Sequence, residues 1–217
     1  MNTQIRTTVV VTAIACLVLV GTLLSGTDTV AAGAKIIAST GFLAVAILSG
    51  ALHSTYGKVL LAGLTLSFAG DTFLIGETQH AFLAGLAAFL LAHLAYVVAF
   101  AVNGINVRWL AGAALPVIGI AIGVAMWLAP YTPPELSLPV RLYTIVISGM
   151  VIAAFGTRGK GGSMLILVGA LLFFMSDLSV AALRLVQTDF PTYVWGLPLY
   201  YAGQLCLALS VSQSRSH

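Results

Sequence analysis

The chain reads as an all-α integral membrane protein, and three observations predict it. Of its 217 residues 60% are hydrophobic and only 7% are charged, and the mean hydropathy is +1.07. A soluble domain carries about 25% charged residues. The apolar residues fall into eight stretches, each near the ~20 residues that cross a bilayer as a helix. Short polar, glycine-rich or proline-containing breaks separate them.

The stretches lie near 7–24, 34–51, 58–76, 80–101, 109–128, 139–155, 163–184 and 193–212. SGTD, HSTYGK, GETQ, NGINVR, PYTPPE, TRGKGG and QTDFP mark the breaks. Residues 7–24 are longer than the 7–15-residue core of a signal peptide and only Arg6 precedes them, so they are expected to form a first membrane helix. The expected architecture is a single polytopic domain, placed in the plasma or inner membrane if the source is bacterial.

Charge asymmetry orients this bundle. Arg6, Lys58, Arg108, Arg158, Lys160 and Arg215 fall on the side of the N-terminus, with no acidic residue among them. Lys35, Arg141 and Arg184 fall on the opposite side with Asp28, Glu77, Glu135 and Asp189, four acids expected in solvated loops. The positive-inside rule then predicts cytoplasmic N- and C-termini. The net charge of +3 sits at the membrane edges, which argues against a nucleic-acid partner. Cys16 and Cys206 lie in apolar segments without metal or redox spacing.

Asp71 and Asp177 interrupt apolar stretches in the same setting. LAGLTLSFAGD and LVGALLFFMSD both read L-x-G-x-x-L-x-F-x-x-D, 106 residues apart, and the same offset carries Lys35 onto Arg141. An ionisable group inside a spanning helix costs about 2.5–3.5 kcal/mol even on the mild insertion scale. Two in matched positions therefore read as a site. The offset covers four helices, an even number, so halves at about 1–106 and 107–217 are expected to be parallel repeats. Convergence on similar packing needs is the alternative.

Counting along the third helix, Asp71 lies 13 residues past Lys58, about 20 Å at 1.5 Å per residue. That puts it in the outer half of the hydrocarbon, with Asp177 at the same depth. Lys35 and Arg141, read as the starts of the second and sixth helices, stand at that outer face. His93 and Tyr96 share a face of the fourth helix, about 10 Å deeper than Asp71 if the helices are straight. Tyr200, Tyr201 and Gln204 add polar groups on the eighth. Gly119-x-x-x-Gly123 offers a small-residue face for close packing in the bundle or at a dimer seam.

Each of these has a plainer reading. The aspartates would stabilise the bundle by pairing with cations, His93 would be a packed histidine, and the tyrosines would be packing or interfacial aromatics. Lys35, Arg141 and Arg184 would be snorkelling residues at helix ends. No nucleophile elbow, Walker loop, H-E-x-x-H or Cys/His zinc spacing occurs. Two-carboxylate chemistry without a metal or cofactor is the simplest enzymatic reading, and a proton-coupled lipid or small-molecule transporter using the same aspartates is its rival.

SFAGDTFL, AHLAYV, GALLFFMSDLSVA and YYAGQ together resemble the YhhN family, which includes the mammalian transmembrane protein 86 lysoplasmalogenases. The resemblance runs from about Lys35 to Gln204. It implies that Asp71 and Asp177 correspond to the family's two intramembrane aspartates, His93 and Tyr96 to its histidine and tyrosine, and Lys35 to its early lysine. Ile36 follows that lysine where proline is common in the family. The implied activity is hydrolysis of the vinyl-ether bond of a lysophospholipid. Asp71 and Asp177 would be the acid/base pair, His93 and Tyr96 would orient water or the glycerol hydroxyl, and Lys35 and Arg141 would hold the phosphate.

Overall fold

The computed structural model describes residues 2–76 and 78–214, so Glu77 and Arg215 lie outside the described residues. Eight long helices follow one another: α1 (Thr3–Leu24), α2 (Asp28–Leu48), α3 (Thr55–Phe73), α4 (Gln79–Asn103), α5 (Val107–Leu128), α6 (Pro134–Arg158), α7 (Met164–Ala181) and α8 (Tyr193–Gln213). No strand occurs among the described residues. Seven of the helices are long and apolar enough to cross a membrane. The exception is α3, whose 19 residues include Lys58, Ser67 and Asp71.

Large apolar side chains face outward in number, with Leu115 81%, Met126 71% and Leu17 69% exposed. Such a surface is stable against lipid tails rather than water. The protein is an integral, multi-pass membrane protein.

Consecutive helices pack as hairpins, α1 on α2, α3 on α4, α5 on α6 and α7 on α8. Between hairpins, α2 meets α3 and α8, while α6 meets α4 and α7. In two of the hairpins the glycine of each repeated aspartate segment marks a close approach. A Cβ on Gly63 would come within 2.5 Å of the Tyr96 ring. One on Gly169 would come 2.9 Å from the carbonyl oxygen of Gly203 and 2.8 Å from Leu207. Small residues let helix backbones approach closely where burial against lipid offers no driving force.

Two helices begin earlier than the apolar pattern indicated. Lys35 does not start α2 and Arg141 does not start α6, because the helices begin at Asp28 and Pro134. Proline at the first helical position loses no hydrogen bond and has the required φ. An acid in the first turn is favoured by the helix dipole, and Asp28 and Glu135 both occupy first turns rather than loops. Gly119 and Gly123 meet no heavy atom within 4 Å of an added Cβ, so their face carries no packing within the bundle.

Gly169→Leu is expected to lower thermal stability in detergent, since overpacking a close contact costs about 1–3 kcal/mol. Gly119→Ala, on an open face, is expected to leave the melting temperature unchanged or raise it slightly.

Candidate functional site

Asp71 is in the last turn of α3, 3% exposed, and two hydroxyls converge on its Oδ2. Ser39 of α2 donates at 2.6 Å and Tyr200 of α8 at 2.8 Å. Lys35 lies one helical turn before Ser39 and is within electrostatic reach of Asp71. Tyr201 ties the same helices together, sharing a 3.2 Å hydrogen bond with Ser39 and donating to the Lys35 carbonyl at 3.4 Å. Asp71 is thus held by side chains from two helices other than its own.

Asp177, on α7, has a different set of partners. Tyr143 of α6 donates to its Oδ2 at 2.6 Å. His93 of α4 places Nε2 3.9 Å from the same oxygen, beyond hydrogen-bonding distance. The two carboxylates are within electrostatic reach of each other.

An aromatic cluster fixes these donors. The Tyr200 ring stands edge-on to Phe42, Phe89 and Phe173, with centroids 6.2, 5.9 and 5.2 Å away. His93 is edge-on to Tyr143 at 5.2 Å. Such offset contacts are favoured by the ring quadrupoles.

Both aspartates line one cavity of about 400 Å³, together with Lys35, Tyr143, Arg184 and Tyr200. The rest of its wall is largely apolar, from Leu19 and Leu23 of α1, Phe89 of α4, Leu128 of α5, Ile147 of α6 and Phe174 of α7. Asp28, Ile75, Leu128 and Arg184, each beside a connection between paired helices, bring the cavity to one end of the bundle. The volume and the apolar wall with a few convergent polar groups are those of a small-molecule site. The cavity thus combines a polar floor with an apolar wall.

Not every candidate residue reaches this cavity. Tyr96 and Gln204 are fully buried beside it, where Tyr96 donates to Gln204 Oε1 at 2.9 Å and bonds Ser67 at 3.0 Å. They form a polar layer within the bundle and do not line the cavity, and His93 is likewise buried behind its wall. Arg141 is exposed and absent from the lining. Arg184, which no counterpart in the first half marked out, lines the cavity instead, its guanidinium 5.9 Å from the Phe82 ring centroid. Sequence reasoning also missed Ser39 and Tyr143. The only signal for Ser39 was its place one turn after Lys35, and Tyr143 had none beyond its neighbour Arg141.

Fold and site define a polytopic helical membrane protein with two intramembrane carboxylates opening on an apolar cavity. The chain belongs to the YhhN family, whose pattern it matches over residues 30–211. It is 33% identical to lysoplasmalogenase TMEM86B of Sus scrofa over 162 residues, 73% of this chain and 66% of that protein. The human TMEM86B lysoplasmalogenase is 33% identical over 175 residues, 80% of this chain and 70% of the relative. Lysoplasmalogenase TMEM86A of Bos taurus is 32% identical over 170 residues, 72% and 66% of the two chains. The chain thus spans about two thirds of the length of these curated relatives. No solved structure matches it.

Tyr200→Phe removes one of the two hydroxyls on Asp71, and a hydrogen bond to a charged group contributes about 1.5–3 kcal/mol. A lower melting temperature is expected than for Tyr201→Phe, which loses only the longer bonds to Ser39 and the Lys35 carbonyl.

Proposed function

We infer that this chain is an intramembrane hydrolase of lysoplasmalogens. It would cleave the vinyl-ether bond to give a fatty aldehyde and glycerophosphoethanolamine or glycerophosphocholine. One observation carries the reading: Asp71 and Asp177, from different helices, line a single apolar cavity, each held by a tyrosine hydroxyl. The curated relatives are lysoplasmalogenases by name, which supports the same substrate class.

A vinyl ether hydrolyses through protonation of its β-carbon. The resulting oxocarbenium ion takes up water to form a hemiacetal, whose collapse releases aldehyde and glycerol hydroxyl. Glycosidases pass through a similar cation between two carboxyl groups. Asp71 Oδ2 accepts from two hydroxyls and faces Lys35, the pattern of an acceptor. We assign it to steady the cation and take the proton from water. Asp177 is then the acid that protonates carbon.

In the collapse, Asp71 returns its proton to the departing glycerol oxygen. Asp177 recovers one from the hemiacetal hydroxyl, so both groups finish as they began. His93 would position Asp177, and the buried Tyr96–Gln204 pair would support the layer behind the site. Lys35 would bind the lipid phosphate.

We further read the bundle as eight spans in two parallel repeats, with cytoplasmic termini and the cavity opening toward the other side. In support, α2 and α6 start 106 residues apart, the spacing of the aspartates, and each supplies a hydroxyl to the aspartate of the following helix.

The carrier reading has less behind it. Pro116, Pro139 and Pro198 interrupt α5, α6 and α8, and no helix of the first half contains a proline. Matched broken helices, common at the binding sites of repeat carriers, do not occur among the described residues.

Purified protein is expected to release aldehyde from lysoplasmenyl-ethanolamine, with a bell-shaped pH profile of kcat/KM from one acid and one base. Asp71→Asn and Asp177→Asn should each lose at least about 100-fold in turnover while remaining folded. Wild-type turnover in both variants would sink the assignment, and substrate flux in sealed vesicles without aldehyde would favour the carrier.

A further inference from the structure

Three charged groups of the cavity wall are not neutralised by one another. Asp28, Lys35 and Arg184 all line it, yet none forms an ion pair within 4.0 Å among the described residues. Lys35 is half-buried and within electrostatic reach of Arg184. The guanidinium of Arg184 rests near Phe82 rather than on an acid.

Their placement is ordered in depth. Asp28, Ala31 and Lys35 follow one face of α2 and all line the cavity. Ser39 continues that line and donates to Asp71. Asp28 to Lys35 is two helical turns, about 10 Å, and Lys35 to Ser39 one turn, about 6 Å. Lys35 is within electrostatic reach of Asp71 and Arg184. One helix face therefore presents an acid at the rim, a cation below it, and a hydroxyl-bound carboxylate at the floor.

The second cation arrives by an unusual backbone. Beyond α7 the chain widens into a π-helical turn over Ala182–Val186, closed by Gln187 at φ 57°. Leu183, Arg184 and Leu185, consecutive in sequence, all line the cavity. π turns are rare and concentrate at functional sites.

A ligand carrying both signs of charge matches this order. In a zwitterionic lysophospholipid four bonds separate the ammonium nitrogen from phosphorus, and five separate phosphorus from the ether oxygen of the chain. With bonds of about 1.5 Å these are steps of about 5 and 6 Å. Phosphate between Lys35 and Arg184 would leave the ether near Asp71 and the nitrogen toward Asp28.

We propose that Asp28 is a specificity-determining residue whose carboxylate binds the cationic nitrogen of an ethanolamine or choline headgroup while Lys35 and Arg184 hold the phosphate. This deepens the lysolipid reading and rests on it. Asp28 also sits in the first turn of α2, where the helix dipole favours an acid. That contribution is the same for every ligand, so headgroup discrimination separates the two roles.

The test is binding of saturated 1-O-alkyl lysolipids, which lack the cleavable double bond, to the full chain in detergent. Three headgroups are compared by calorimetry: phosphoethanolamine, phosphocholine and phosphate alone. The wild type is expected to prefer the zwitterions. Asp28→Asn should reduce the ratio of zwitterion to phosphate-only affinity about three- to fivefold, as for a partly solvated ion pair. Asp28→Glu should restore the ratio, and Lys35→Ala should weaken all three ligands.

An unchanged ratio in Asp28→Asn, or no headgroup preference in the wild type, overturns the proposal. Failure to bind any of the three overturns it together with the lysolipid reading. Headgroup-dependent binding by a chain that releases no aldehyde from the vinyl ether would instead remove only the hydrolase.

Discussion

A carboxyl group inside a lipid-facing bundle persists only if other helices bring it hydrogen-bond donors, and much of this structure follows from that requirement. Asp71 draws its donors from α2 and α8, and Asp177 draws Tyr143 from α6 with His93 of α4 beside it. A buried polar group without such partners costs several kcal/mol. The contacts of α2 with α8 and of α6 with α4 are therefore also the contacts that complete the site.

The aromatic cluster makes that arrangement definite. A tyrosine hydroxyl is a useful donor only when its ring is fixed, and Tyr200 is enclosed by Phe42, Phe89 and Phe173. The apolar wall above these donors keeps water scarce around the carboxylates, where electrostatic interactions are stronger than in bulk solvent. One cavity thus joins a largely apolar wall to two hydrogen-bonded carboxylates, the combination that the proposed hydrolase would need.

Much of this was legible in the chain because ionisable residues stand out against apolar ones. Asp71, Asp177, Lys35 and Tyr200 could be picked out, and all four line the cavity. Ser39 and Tyr143 could not, since serine and tyrosine are common in spanning helices and only their partners reveal them. The 106-residue offset pointed to Arg141 as the partner of Lys35, whereas the fold exposes Arg141 and brings in Arg184 through a π turn that apolar periodicity does not encode. Hydropathy also placed the starts of α2 and α6 too late. It scores Asp28 and Pro134 as loop residues, although both are well suited to a first helical turn. The glycine of each repeated segment was visible as a pattern, but its use, bringing two helices together, needed the third dimension.

That glycine contact bears on how the proposed lipid substrate would enter. At Gly63 the Tyr96 ring, and at Gly169 the Gly203 carbonyl and Leu207, occupy the space a Cβ would take, so the α3–α4 and α7–α8 hairpins pack closely on the glycine backbone. The outer walls differ: α1 and α5 are the least buried of the spanning helices, and each lends two leucine or valine side chains to the cavity lining. The bundle thus has two closely packed hairpins that carry the carboxylates and, at α1 and α5, its least buried walls. On the lysolipid reading proposed above, an alkyl tail from the bilayer would enter past α1 and α5, away from the hairpins that carry Asp71 and Asp177.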